Sequence, residues 1–264
     1  MTNPLTTIGE GRASLRREVA ETLSPRIRTP EDVLPPLMVL LTIVTGIVDA
    51  LAYLRLGHVF VANMTGNVVF LGFAAAGAHG LSIAGSLLAL GCFLPGGAAA
   101  GRLAGRFGEN RLRQLRAAAA VQLFLCLVAV AVAAAAGAEL GTASRYALIA
   151  LLALAMGVQN ATARRLAVPE LTTTVLTLTL TGIAADSRLG GGSGAKTARR
   201  VLSVTAMLLG AVIGAVLLLH VAPVAPIALA AGILAVVLGA ADRRSRQGQA
   251  PDQQPVAISQ SGGA

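Results

Sequence analysis

Apolar runs long enough to cross a bilayer recur along the chain, and two of them are interrupted by polar side chains that hydrocarbon would reject. The first interruption lies in Val59 to Gly72 and carries Asn63, Thr65, Gly66 and Asn67. An amide or hydroxyl facing lipid without a partner costs on the order of several kcal/mol, so the cluster implies a protein-lined or water-filled pocket. The second, Glu170 to Gly182, lies roughly 110 residues further on and is rich in threonine: Thr172, Thr173, Thr174, Thr177, Thr179 and Thr181. The remainder of the chain reads as scaffolding for these two segments.

Composition fixes the class. With 55% hydrophobic and 12% charged residues, the chain lies far from the roughly 25% charged content of soluble domains, and it reads as an all-α integral membrane protein. The net charge of +9 comes from arginines at the ends of apolar runs. That placement points to anchoring of loops at a membrane surface, with no nucleic acid as partner. Cys92 and Cys126 each sit inside an apolar run, as small buried hydrophobes, and support neither a disulfide framework nor a metal site.

Residues 1–34 form a polar arm with Arg12, Arg16, Arg17, Arg26 and Arg28 and no apolar core of a secretory signal. The arm reads as cytoplasmic, either disordered or with a short amphipathic helix from Arg12 to Leu23. Residues 35–242 form the membrane domain, and residues 243–264 a disordered cytoplasmic tail. Pro35 and Pro36 start the first run, on which Thr42, Thr45 and Asp49 share one helical face. Gly97 and Gly101, and later Gly210 and Gly214, are spaced for close helix approach.

The chain repeats itself. Leu40 to Ala50 lies on Leu151 to Ala161 without a gap, so that Asp49 matches Asn160. With one inserted residue, Asn63 and Thr65 fall on Thr174 and Thr177. Repeat one covers about 37–105 and repeat two about 146–220. If all eight apolar runs span, four per half, the five arginines between residues 102 and 116 land opposite the basic arm, against the rule that cytoplasmic loops are positive. If each polar stretch instead enters and leaves from one side, about six spans remain, three per half. Both termini and every basic segment are then cytoplasmic, and the two repeats are inverted. Interrupted segments in inverted repeats are the plan of many secondary transporters, with the solute site where they meet. The alternation of Leu176 to Thr181 has the period of a strand.

Four motifs carry a resemblance: Thr45 to Ala50 (TGIVDA), Phe60 to Asn67 (FVANMTGN), Met156 to Ala161 (MGVQNA) and Thr172 to Thr177 (TTTVLT). In these the chain resembles the YoaK-like bacterial membrane proteins, the family known as domain of unknown function 1275, over about residues 35 to 242. Leu178 departs from the pattern where a small residue matching Gly66 is expected. The resemblance implies a multi-pass inner-membrane protein and carries no activity.

Asp49 is the carboxylate well inside a span, where a charge costs roughly 2.5–3.5 kcal/mol unless paired, protonated or hydrated. It reads either as a coupling-ion or proton site or as an interfacial residue bonding a neighbouring helix. Asn63, Thr65 and Asn67 suit a solute or the cap of a half-helix beginning near Gly66. The threonines, Gln159 and Asn160 suit solute or interhelical bonds, and His58 an interface. No Ser/His/Asp set, HExxH or phosphate loop occurs in the spans, so no catalytic residues and no cofactor are expected. The expected function is a carrier of a small solute in the cell membrane, ion- or proton-coupled. Its solute-binding residues are Asp49, Asn63, Thr65, Gly66, Asn67, Gln159, Asn160, Thr174 and Thr177. The alternative is a non-transporting assembly or regulatory module, held together through its glycine surfaces. The lipid bilayer is the one sure partner, with a homo-oligomer left open.

Overall fold

The computed structural model of the chain describes residues 16–137, 139–169, 171, 176–186 and 197–247. In chain order its helices are α1 (Leu34–Arg55), α2 (Met64–Ala75), α3 (Ile83–Gly105), α4 (Arg111–Ala136), α5 (Thr142–Leu166), α6 (Leu176–Ala185), α7 (Thr197–His220) and α8 (Ala225–Gln247). Residues 16–23 are also helical, and the described residues contain no strand. Six of these helices, all but α2 and α6, are long and apolar enough to cross a membrane. At 1.5 Å per residue, α2 and α6 extend only about 18 and 15 Å against roughly 30 Å of hydrocarbon, so eight full spans are set aside. The strand-like alternation from Leu176 onward is also corrected: these residues are helical. A helix satisfies its own backbone whatever its side-chain period, and the Thr181 hydroxyl adds a bond to the Thr177 carbonyl at 2.9 Å.

Local signals set the helix ends. Ahead of α1, the N–H groups of Arg28 and Thr29 both donate to Asp32 at 2.7 Å, and Pro35 and Pro36 occupy its first turn. Ser82 caps α3 by accepting from the Gly85 N–H, and Asn110 caps α4 by accepting from the Arg113 N–H. Helix α1 stops because Gly57 and His58 both adopt positive φ, 102° and 56°.

Ion pairs and short contacts define two ends of the bundle. At one end Arg111 bridges Glu31, before α1, to the Leu166 carbonyl at the close of α5, and Arg116 of α4 pairs with Asp242 of α8. At the other end Arg55, Gly137, Leu140 and Pro223 line one cleft. The first end carries Arg102, Arg106, Arg111, Arg113, Arg116, Arg164, Arg165, Arg199, Arg200, Arg243, Arg244 and Arg246; the second carries Arg55 and Arg145. The segment around α2 leaves and rejoins the bundle at this second end, where the His58 ring nitrogen meets the Gly80 carbonyl at 3.1 Å. The segment holding α6 joins α5 and α7 at the basic end.

The long helices cross through bare backbone. Helix α1 packs on α7, and α3 packs on α5. A Cβ added to Gly46 would collide with the backbone of Met207 and Ala211; one added to Gly157 would collide with the backbone of Phe93 and Gly97. Conversely, a Cβ on Gly210 would strike the Ile43 carbonyl, and one on Gly96 the Leu154 carbonyl. Gly157 and Leu154 lie 111 positions after Gly46 and Ile43, while Met207 and Gly210 lie 114 after Phe93 and Gly96. The two crossings thus pair residues offset by constant steps along the chain, α1 with α7 and α5 with α3. Close approach of this kind supplies van der Waals contact where lipid supplies no hydrophobic drive. Gly46→Val and Gly157→Val are each expected to destabilise the fold by about 1–3 kcal/mol or more. Gly101→Val, where an added Cβ meets nothing within 4 Å, is expected to be near neutral. Because the chain has no Trp, thermal loss of far-ultraviolet circular dichroism in detergent is the suitable measurement. Equal melting of all three variants would refute the crossings.

Candidate functional site

The turn at Gly57 and His58 obliges residues 59–63 to run without helical hydrogen bonds before α2 begins. Val59, Val61 and Ala62 are buried, so their backbone donors need partners within the protein. Asp49, less than two turns before the end of α1 and only 4% exposed, supplies them. Its Oδ1 accepts from the Val61 N–H at 2.8 Å and the Ala62 N–H at 2.9 Å, and its Oδ2 accepts from the Asn63 amide at 2.5 Å. Three of the roughly four acceptor positions of a carboxylate are thereby filled.

Asn67 closes the same segment from the other side. Its side chain is fully buried; Oδ1 accepts from the Phe60 N–H at 2.8 Å and Nδ2 donates to the Phe60 carbonyl at 2.6 Å. The Phe60 ring stacks on both Tyr53 and Phe70, with centroids 5.3 and 5.7 Å away, and these two lie 6.2 Å from each other, so the three rings form one cluster. Gly66 lies under that ring, where a Cβ would come within 2.5 Å of Phe60 Cδ2. Asp49, Asn63, Gly66 and Asn67 thus form one clamp on residues 60–63. Thr65 is exposed and outside the clamp. The expectation that Asn63 caps a half-helix starting near Gly66 is corrected in detail. Helix α2 starts at Met64 with Asn63 in the cap position, but its side chain makes no capping bond: Nδ2 donates to Asp49, which turns the side chain away from the first turn.

One turn back along α1, Gln159 of α5 joins the two helices. Its Nε2 donates to Thr45 Oγ1 at 2.7 Å and to the Leu41 carbonyl at 3.0 Å, while its Oε1 is buried with no partner among the described residues. Thr42 and Thr45 share the face of Asp49, as the spacing predicts, and both are buried. Their hydroxyls donate to the carbonyls of Met38 and Leu41. Asn160 is half-buried and donates to the Met156 carbonyl at 2.9 Å. Thr177 is exposed on α6, whose packing partner is α7, and Thr174 lies outside the described residues.

Sequence reasoning missed Arg200. This buried side chain of α7 lies against Gly182, donates to its carbonyl at 2.6 Å and pairs with Asp186 Oδ2 at 2.6 Å, fixing the C-terminal end of α6. Beside Arg199 it looks like one more loop charge. The available signal is helical phase, because Arg200, Ser203, Ala206, Gly210 and Gly214 fall on one buried face.

These features define a multi-pass helical membrane protein in which a buried carboxylate clamps an unwound segment ahead of a short helix. The chain belongs to the family described as "Protein of unknown function (DUF1275)", whose model matches residues 37–240, as the four motifs imply. It is 35% identical over 152 residues to the UPF0700 transmembrane protein YoaK of Bacillus subtilis (strain 168). That alignment covers 57% of this chain and 65% of the relative, so the chain spans less than two thirds of the relative's length. No solved structure matches the chain.

Exchange of partners tests the clamp. Asp49→Asn turns one oxygen into a donor facing the Asn63 amide and is expected to cost about 1.5–3 kcal/mol, the scale of a hydrogen bond to a charged group. Asn63→Asp places two carboxyls together and is expected to cost at least as much. The double variant Asp49→Asn/Asn63→Asp restores donor to acceptor and should recover most of the lost melting temperature. Additive losses in the double variant would contradict the bond.

Proposed function

We propose that the protein is a secondary carrier of a small solute, built from two inverted halves that rock against one another across the α1/α7 and α3/α5 crossings. The observation that carries this reading is the exchange of equivalent glycine contacts between halves. It is joined to two short helices whose connecting segments return to opposite ends of the bundle. Interrupted segments of this kind in inverted halves are the arrangement from which alternating access follows. With three spans per half, corresponding helices point in opposite directions, as inversion demands.

The solute-binding region proposed is the α1/α5 contact beside the clamp. The Gln159 Oε1 supplies an open acceptor there, one turn from Asp49. Asp49 is the coupling residue of the proposal. While ionised it holds the Val61 and Ala62 N–H groups, and gaining a proton would exchange an acceptor for a donor and release part of residues 60–63. Asn160, next to Gln159 on α5, would line the same region toward the basic end. A second reading has its own support: Asp49, Asn63 and Asn67 all bond within the protein, as they would in a non-transporting assembly module.

The basic end is proposed to face the cytoplasm, following the excess of arginines there, which places both termini inside the cell membrane. A C-terminal alkaline phosphatase fusion should then be inactive and a C-terminal green fluorescent fusion bright. The opposite pair of results would invert the assignment. For transport, vesicles of the purified protein screened with pools of labelled small solutes under a pH gradient should accumulate at least one. Asp49→Asn should cut that gradient-driven accumulation by about ten-fold or more, on the scale of a lost charge-assisted interaction. Solute movement no faster than in empty vesicles, for every pool and with either orientation of the gradient, would favour the module.

A further inference from the structure

At the basic end, α4 and α8 run side by side around a furrow of about 530 Å³. Its floor is made by Ala117, Ala120, Ala235 and Gly239, and its mouth by Arg116 and Asp242. Small residues at these positions keep the two helices from filling the space between them; a Cβ added to Gly239 would meet nothing within 4 Å. The furrow opens sideways from two membrane-spanning helices, so lipid is what surrounds it.

The mouth carries excess positive charge. Arg116 donates to Asp242 Oδ1 and Arg246 to Oδ2, both at 2.9 Å, with the two arginine side chains 41% and 77% exposed. Two guanidiniums against one carboxylate leave a net charge of +1. Each guanidinium offers five N–H donors in a planar fork, far more than Asp242 takes. An apolar trough two helical turns long that ends in such a pair suits a molecule with a hydrocarbon tail and an anionic head.

We propose that this furrow is a binding site for an anionic phospholipid, with the phosphate held by Arg116 and Arg246 and an acyl chain laid along the alanine and glycine floor. Asp242 fixes the two guanidiniums in place, one on each oxygen. The site concerns the membrane class of the protein and is independent of whether the protein transports. It would set which lipid stands against α4 and α8, the helices that join the two halves at this end.

The test uses the full chain in a non-ionic detergent, delipidated and then offered phosphatidylglycerol, phosphatidylcholine of the same chains, or inorganic phosphate. Native mass spectrometry counts retained lipid and circular dichroism reads the melting temperature. Phosphatidylglycerol is expected to be retained in preference to phosphatidylcholine and to raise the melting temperature. Arg116→Gln/Arg246→Gln should lower that preference roughly ten-fold, as loss of two surface cations implies. Gly239→Leu, which fills the furrow in space that is open, should weaken retention while leaving the fold intact. Equal retention of the two lipids, undiminished retention by Gly239→Leu, or the same stabilisation by inorganic phosphate alone would each overturn the proposal.

Discussion

Backbone that leaves the helix inside a membrane domain must find its hydrogen bonds elsewhere in the protein, and here one carboxylate answers that demand. The N–H groups of Val61 and Ala62 converge on Asp49 Oδ1. A buried carboxylate and a stretch of unwound backbone are each costly alone in an apolar surround. Together each satisfies the other, because the ionised oxygen is a stronger acceptor than a neutral carbonyl. The rest of this end of the bundle follows from this bond. With residues 60–63 fixed, Asn67 can close on Phe60, Phe60 can stack on Tyr53 and Phe70, and Gly66 must stay small beneath the ring.

Much of this was legible in the chain itself. Asp49 and the polar residues after Val59 stand out against apolar neighbours, and the demand that each be partnered leads straight to a connection between them. The direction of the bonds was not legible. Asn63 has the identity of a helix cap and the position of one, yet its Nδ2 donates to the Asp49 carboxylate, and the side chain so oriented makes no capping bond. Alternation misled at Leu176 to Thr181 for a related reason: threonine hydroxyls can bond back to the preceding turn, so a polar residue at every second position need not mark an extended chain. Arg200 was hidden by its neighbour Arg199, and only the phase of the helix distinguishes the buried arginine from the exposed surroundings of a loop.

Glycine plays two separate parts along the helices, and sequence spacing alone does not tell them apart. Gly210 and Gly214 both face α1 backbone, and Gly96 faces α5, whereas Gly101 and Gly105 face open space despite lying in the same ladder as Gly97. The glycine of α3 that matters most is therefore Gly96, packed on α5 beside Gly157 and shifted by one residue from the GxxxG ladder that the spacing picks out. A crossing needs a bare backbone on both helices at the same level, which a pattern within one helix cannot encode. Gly46 and Gly157, which align in the sequence, are both such positions, one against the backbone of α7 and the other against that of α3.

That correspondence also frames the difference between the halves. Asp49 is matched by Asn160, which keeps the shape of the side chain and gives up its charge. A carboxylate that can take a proton therefore holds the unwound residues ahead of α2, and among the described residues the position that aligns with it carries an amide. The second half instead places its charge at the opposite end of its short helix, where Arg200 grips Gly182 and Asp186. Under the carrier reading, a rocking motion would then be gated at the Asp49 side and pivot at the Arg200 side, and the symmetry of the scaffold would be broken at the residue where coupling requires it.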